Sequence, residues 1–483
     1  MIESAGSLAP SMLSSGRILA LLAFTLPTLA CNFATDLANQ LIDQFSQQAP
    51  TNQPVPGESE PTPVGTRSLP TEIAPAATIG SDSGASIPLE IREQMDQIQE
   101  EVITLRGLQS TGQVARALLS PEALRQYVTD DFLADYTEEE ARDDARTLAL
   151  LGLMDPNYDL FNLYMELYSE QIAGFYDDEL KQMFVVQGAG FRGPERLTYA
   201  HEYTHALQDQ HYDLRNGLGF NDEACELDSE RCGAIQALVE GDATLLEERW
   251  LLTYASDQDY QDLLDFYDTY TSPVYDSAPQ FLQDDFLFPY DAGYDFVESF
   301  FLVGGWASVD AVYADPPSST EQILHPERYP SDRPIKLQAA ELLPSLGNGW
   351  REIDRDVLGE WYTQLTLREQ ILTEQASPAA EGWGGDYFLA FYHDEQNLGA
   401  LVLVTVWDRV LEAHEFFGAF LGYGDARFGE RSLSTTTQAV WDSSLLHASI
   451  EIAGDQTLWI LAPDAQIAQA LRQGVAFPAQ PSQ

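Results

Sequence analysis

The chemistry-bearing stretch of this 483-residue chain is LTYAHEYTHALQDQ, which sets His201-Glu202-Tyr203-Thr204-His205 in line. On a helix, positions i and i+4 lie one above the other on the same face, so both imidazoles reach toward one point. Two neutral histidine nitrogens a turn apart suit a zinc ion, which takes them at about 2.0–2.1 Å. Glu202 follows the first histidine by one position, where it does not share the ligand face but reaches a water beside the ion. A carboxylate so placed takes the water's proton during attack on a carbonyl and passes it to the leaving amine.

A catalytic zinc site uses three protein ligands and keeps a fourth position open. The third ligand is sought on a second helix downstream. Glu240, in ALVEGDAT, is the best candidate, because a lone carboxylate in an apolar helical run is costly to bury without a partner. Gly241 beside it permits close approach of a neighbouring helix. Asp242 is the rival ligand, or else an acceptor that orients a histidine ring. His211, six residues past His205, is rotated off the ligand face and reads as a solvated histidine. No G-x-S-x-G segment and no cysteine nucleophile competes with the metal reading.

HEYTHALQDQHYDL followed by ALVEGDAT resembles the gluzincin arrangement, in which H-E-x-x-H on one helix is joined by a Glu from the next; thermolysin-like peptidases are its best-known members. The resemblance implies a zinc metallopeptidase with His201, His205 and Glu240 as ligands and Glu202 as general base. It also implies a preceding hairpin, within residues 174–186, whose edge strand takes an extended peptide substrate. Two features depart from the thermolysin-like pattern: 35 residues separate His205 from Glu240, and Thr244 stands where an Asp is usual. EQIAGFYD, HEYTHALQDQ, EGDAT and STEQILHPERY together resemble uncharacterised exported bacterial proteins. Gluzincins often add a Tyr or His that hydrogen-bonds the developing oxyanion, and the candidates here are His325, Tyr290 and Tyr294.

The elements that must position these groups are legible in outline. Residues 89–105 carry apolar side chains at three- and four-residue steps, and Ser120-Pro121 and Thr137 with Glu140 are helix-start signals. Short strand-like runs at 172–176 and 182–186 flank Asp177-Asp178-Glu179 and predict a β-hairpin. Helices are expected from about Pro194 and over 229–255. From about Trp383 the texture changes to strands (YFLAFYH, LGALVLVTVW, LHASIEIAG, TLWILAP) interleaved with helices at 408–422 and 464–474. The expected fold class is α+β: a mostly helical zincin-like domain over 89–350 with a short hairpin, then a smaller α+β domain over 351–483.

The N-terminus reads as an export signal. Residues 18–30 form a 13-residue apolar run after Arg17, short of the roughly 20 residues needed to cross a bilayer. Met12 is an alternative start. The run ends Thr28-Leu29-Ala30-Cys31, which resembles a bacterial lipoprotein signal with Cys31 as the lipidated residue; ordinary cleavage after Ala30 also fits. Residues 31–88, rich in Pro, Ser and Thr, lack the apolar content to bury a core and read as a tether. Cys225 and Cys232, in DEACELDSERC, are expected to pair as a disulfide outside the cytoplasm.

Charge constrains partners and habitat. The chain carries 77 acidic against 24 basic residues, a formal net charge of −53, and only two lysines, Lys181 and Lys336. Such a surface repels nucleic acid and anionic lipid. Its self-repulsion is relieved by salt, since the Debye length falls to about 3 Å near 1 M. The expected partner is a peptide or protein substrate, with membrane contact only through an anchor at Cys31. A second reading keeps the zincin scaffold for binding by a surface lipoprotein, and a third uses the same residues as an amidase on cell-wall peptide.

Overall fold

The computed structural model describes residues 87–128, 136–186 and 190–477. The signal segment, the tether and Cys31 lie outside the described residues, as does part of the stretch after Ser120. The fold is α+β, with a helical region followed by a C-terminal β-sheet region.

The helical region begins with α1 (Leu89–Arg106), which buries Met95, Ile98, Val102 and Arg106 along one stripe. Next comes β1 (Ala115–Leu119), then a helix at Glu138–Leu151 opened by a capping box between Thr137 and Glu140. The predicted hairpin is present as β2 (Gly174–Asp177) and β3 (Gln182–Val186). It belongs to a three-stranded sheet of order β1-β3-β2, with β1 parallel to β3, so β2 is the edge and β3 the centre. β1 was not visible in the sequence, because five residues reading ARALL carry no alternation.

Helix α2 (Gly193–Tyr212) carries the H-E-x-x-H segment, and α3 (Ser229–Tyr254) carries Glu240. α3 is buried on nearly every face, which marks a central helix rather than a surface one. Around it pack α2, α1 and α4 (Gln280–Gly304). The crossing with α4 is set by glycines. A Cβ on Gly241 would lie 2.1 Å from the carbonyl oxygen of Gly293, and one on Gly293 would lie 2.1 Å from that of Ala237. Only hydrogen at both positions lets the two backbones meet. After α5 (Trp306–Tyr313) and the short α6 (Thr320–Leu324), the chain passes into the sheet region.

That region is a seven-stranded antiparallel sheet of order β4-β5-β6-β10-β9-β8-β7. Its strands are β4 (Trp350–Asp356), β5 (Trp383–His393), β6 (Leu398–Trp407), β7 (Leu433–Ser434), β8 (Gln438–Asp442), β9 (His447–Ala453) and β10 (Gln456–Ala462). Helices α7 (Gly359–Arg368) and α8 (Val410–Phe428) cover one face, and α9 (Ala465–Gly474) covers the other. Leu342 and Leu346 join α9, so the segment just before Trp350 already belongs to the sheet's outer layer. One apolar cluster runs through both regions, from Tyr164, Phe175 and Phe281 to Trp383, Trp407 and Trp459. No helix among the described residues is long and apolar enough to cross a membrane.

Buried carboxylates line the seam between the regions. Asp356 accepts from the backbone N–H groups of Ser229 and Val357, and Asp386 from those of Leu358 and Gly359 and from the Trp383 indole. Neither faces a basic side chain at ion-pair distance. Burial pushes Asp356 up to about 7 and Asp386 up to about 6, against the opposing pull of these hydrogen bonds.

Two expectations follow. Gly241→Ala should lose about 2–3 kcal/mol in denaturant unfolding, because the methyl group meets backbone that cannot yield. The seam carboxylates bind protons more tightly folded than unfolded, so stability should fall as pH rises from about 4 through 7. For Asp356 the loss between pH 5 and pH 8 is on the order of 2–3 kcal/mol. Thermal midpoints across that range should drop for the natural chain, and Asp356→Asn should flatten the slope.

Candidate metal centre

Helices α2 and α3 bring the sequence-predicted groups together. One ligand atom each from His201, His205 and Glu240 lies within 4.8 Å of the others. His201 Nε2 is 3.2 Å and His205 Nε2 is 3.4 Å from the same oxygen, Glu240 Oε2. Ligands bonded at about 2.05 Å in a tetrahedron stand about 3.3 Å apart, so these spacings suit a zinc-sized ion at the common centre. His201 is fully buried and Glu240 nearly so, while His205 keeps 11 % of its side chain exposed.

The ring orientations come from side chains that the sequence reading did not single out. Glu247 Oε2 is 2.9 Å from His201 Nδ1, and Gln208 Oε1 is 2.8 Å from His205 Nδ1. Each acceptor fixes the far nitrogen of its imidazole and leaves Nε2 pointing into the cluster. Both follow helical spacing: Glu247 lies seven residues after Glu240, two turns along one face, and Gln208 one turn after His205. Asp242 touches neither ring. It accepts from Arg106, Gln208 and Tyr313 instead.

Glu202 is 2 % exposed and lies beside β2, whose backbone at Tyr176 favours the ionised carboxylate. β2 lies close against α2 here, since a Cβ on Gly174 would come within 3.0 Å of Thr198 Cγ2 and 3.6 Å of Glu202 Cγ. The hairpin therefore holds the acid–base candidate directly. Burial raises the Glu202 pKa, and the charges of His205 and His201 only partly oppose this. Burial would also raise Glu240, but both histidines override it and hold it near 2. Burial lowers both histidines, yet Glu240 and, for His201, Glu247 more than offset this, so both are raised. Three carboxylates around two imidazoles make a site that demands positive charge.

The remaining sequence candidates fall as follows. Tyr290 is a neighbour of His201, with ring centres 6.3 Å apart. Tyr294 donates to Glu248 and contacts Glu298. His325, the preferred oxyanion donor on sequence, is placed elsewhere: its Nε2 is 3.0 Å from Glu360 on α7, and its other charged neighbours are Arg328 and Glu381. The Pro-rich segment after it turns toward the sheet region, where the Ile335 N–H donates to the Gly384 carbonyl, a contact with no local signal. His211 meets the backbone oxygen of Gln109 at the surface. Cys225 and Cys232 are bonded, with Cα atoms 5.4 Å apart, and the bridge closes the turn leading into α3. A second acidic group, Glu321, Asp332 and Asp408, offers oxygen alone and already holds the Arg328 guanidinium.

Comparison with known families touches the other end of the chain. Residues 346–472 match a Domain of unknown function (DUF8575). The match coincides with the seven-stranded sheet and its helices and leaves the His201, His205 and Glu240 cluster outside it. Searches of curated proteins and of solved structures return no match.

Proposed function

We propose that the chain is an extracytoplasmic, zinc-dependent peptidase of the gluzincin type, hydrolysing peptide bonds with Glu202 as general base. The observation that carries this reading is the convergence of His201 Nε2, His205 Nε2 and Glu240 Oε2, from two helices, at the mutual spacing of a tetrahedral site. The donor set, two imidazoles and one carboxylate, fits zinc, and the surplus of carboxylates fits a dication. The export signal and the Cys225–Cys232 bridge accord with an oxidising compartment.

Zinc held there supplies Lewis acidity toward the scissile carbonyl and lowers the pKa of a water toward 7. The chain's own groups do the rest. Glu202, buried beside β2, takes the water's proton and delivers it to the departing amine. β2, as the sheet edge, offers backbone groups for an extended substrate to pair with. Tyr290, whose ring centre lies 6.3 Å from that of His201, takes the place of His325 as the candidate donor to the developing oxyanion.

Purified protein should carry about one zinc per chain, and His205→Ala should lose it on dialysis. Glu202→Gln should keep zinc and lose peptide cleavage by a factor of about 10³ or more; equal cleavage by variant and parent would sink the mechanism. Tyr290→Phe should lower kcat by about 10²-fold with little change in KM. A parallel fall in the KM-limited and saturated rates of His325→Ala would return the oxyanion role to that residue.

A further inference from the structure

Arg106 is the last residue of α1, about a hundred positions before the metal-binding helix, and its side chain is wholly buried. Its Nε and Nη2 donate to the two oxygens of Asp242 at 2.8 and 3.0 Å, and Nη1 donates to Asp310 at 2.7 Å. The guanidinium also lies 4.5 Å from the centre of the Trp306 ring. A bidentate, desolvated pair of this kind holds both partners in one geometry. Tyr313 OH donates to Asp242 as well, at 2.8 Å.

Asp242 in turn dictates how Gln208 stands. The Gln208 side-chain nitrogen is 3.1 Å from Asp242 Oδ2 and 2.9 Å from the backbone oxygen of Val239. Both Asp242 oxygens already accept, from Arg106 and Tyr313, and the Val239 carbonyl can only accept, so the Gln208 NH₂ must face them and its oxygen must face the other way. That oxygen is 2.8 Å from His205 Nδ1. An amide oxygen only accepts, so Nδ1 must carry the proton, which leaves Nε2, 3.4 Å from Glu240 Oε2, as the nitrogen free to bind an ion. Each step has one permitted orientation.

We propose that Arg106 is a positioning residue of the metal centre: through Asp242 and Gln208 it selects the His205 tautomer that presents Nε2 to the ion. The proposal rests on the zinc reading above. It makes α1 a working part of the site, although none of its side chains reaches the ion. His201 is served separately, by Glu247.

The test is zinc affinity of the full chain, measured by competition with a chelator. Gln208→Leu and Arg106→Met should each weaken zinc binding about 10–100-fold. Because both break one chain of bonds, the double variant should bind no more than about three times weaker than the weaker single. Losses that multiply would show two independent effects and overturn the relay, as would unchanged affinity in either single variant. Arg106→Lys, which keeps the charge but loses the fork, should recover part of the affinity. Should Arg106→Met not fold, nitrogen NMR of the zinc-loaded natural chain decides: His205 is expected protonated at Nδ1 and metal-bound at Nε2, and the reverse refutes the proposal. A natural chain that binds no zinc removes the zinc reading itself, whereas a zinc-binding chain with indifferent variants removes only the relay.

Discussion

Three carboxylates, Glu202, Glu240 and Glu247, are buried around two imidazoles in the middle of a helical core. That is the constraint from which the surrounding architecture follows. Charges taken out of water are expensive, and they persist in an interior only when paired and hydrogen-bonded. The two histidines cannot answer three carboxylates unaided, so the arrangement needs a cation at their centre or protons in its place. Everything packed nearby keeps these groups from relaxing away from one another. α3 is immobilised on three sides, β2 grips Glu202 from a fourth, and the ring nitrogens that face outward are each claimed by an acceptor.

The position of α3 depends in turn on how near other helices can come. Gly241 follows Glu240 directly, and the backbone of α4 at Gly293 fills the space a side chain would take. Gly241 is one position, about 100° around the helix, from Glu240, so the crossing fixes how α3 stands beside the histidines. The same crossing brings Tyr290, three residues before Gly293, to the rim of the cluster. A glycine pair thus places both Glu240, the candidate third ligand, and Tyr290, the oxyanion candidate.

What was legible in the sequence was what local rules encode. The boundaries of α1, α2 and α3, the hairpin, and strand β6 follow from helical spacing, turn residues and runs of β-branched side chains. The convergence of His201, His205 and Glu240 was legible because i, i+4 spacing is local and because a carboxylate stood alone in an apolar run. What escaped were contacts between elements distant in the chain. β1 becomes a strand only because β3 lies beside it. Glu247 and Gln208 had the right spacing but an ordinary polar appearance. Arg106, at the end of an amphipathic helix where an arginine is ordinary, shows nothing that marks it as paired with Asp242. His325 misled for the opposite reason: a histidine in a promising motif is drawn to Glu360 across the seam.

That seam gives the sheet region a bearing on the site despite its separation in sequence. Ser229, at the first turn of α3, donates its backbone N–H to Asp356 at the end of β4. Glu230 accepts from the backbone and hydroxyl of Thr320, and Gly359, with φ of 77°, leaves room for its carboxylate where any side chain would collide. The first turn of a helix carries unpaired N–H groups and partial positive charge, and acidic partners there steady it. Glu240 lies about three turns farther along the same rod, roughly 15 Å away at 1.5 Å per residue. A helix anchored at its first turn by the sheet region and clamped at its middle by Gly293 has little freedom to slide or rotate. The region matched by the domain of unknown function is therefore part of what fixes Glu240, and it shares a core with the helical region rather than hanging from it.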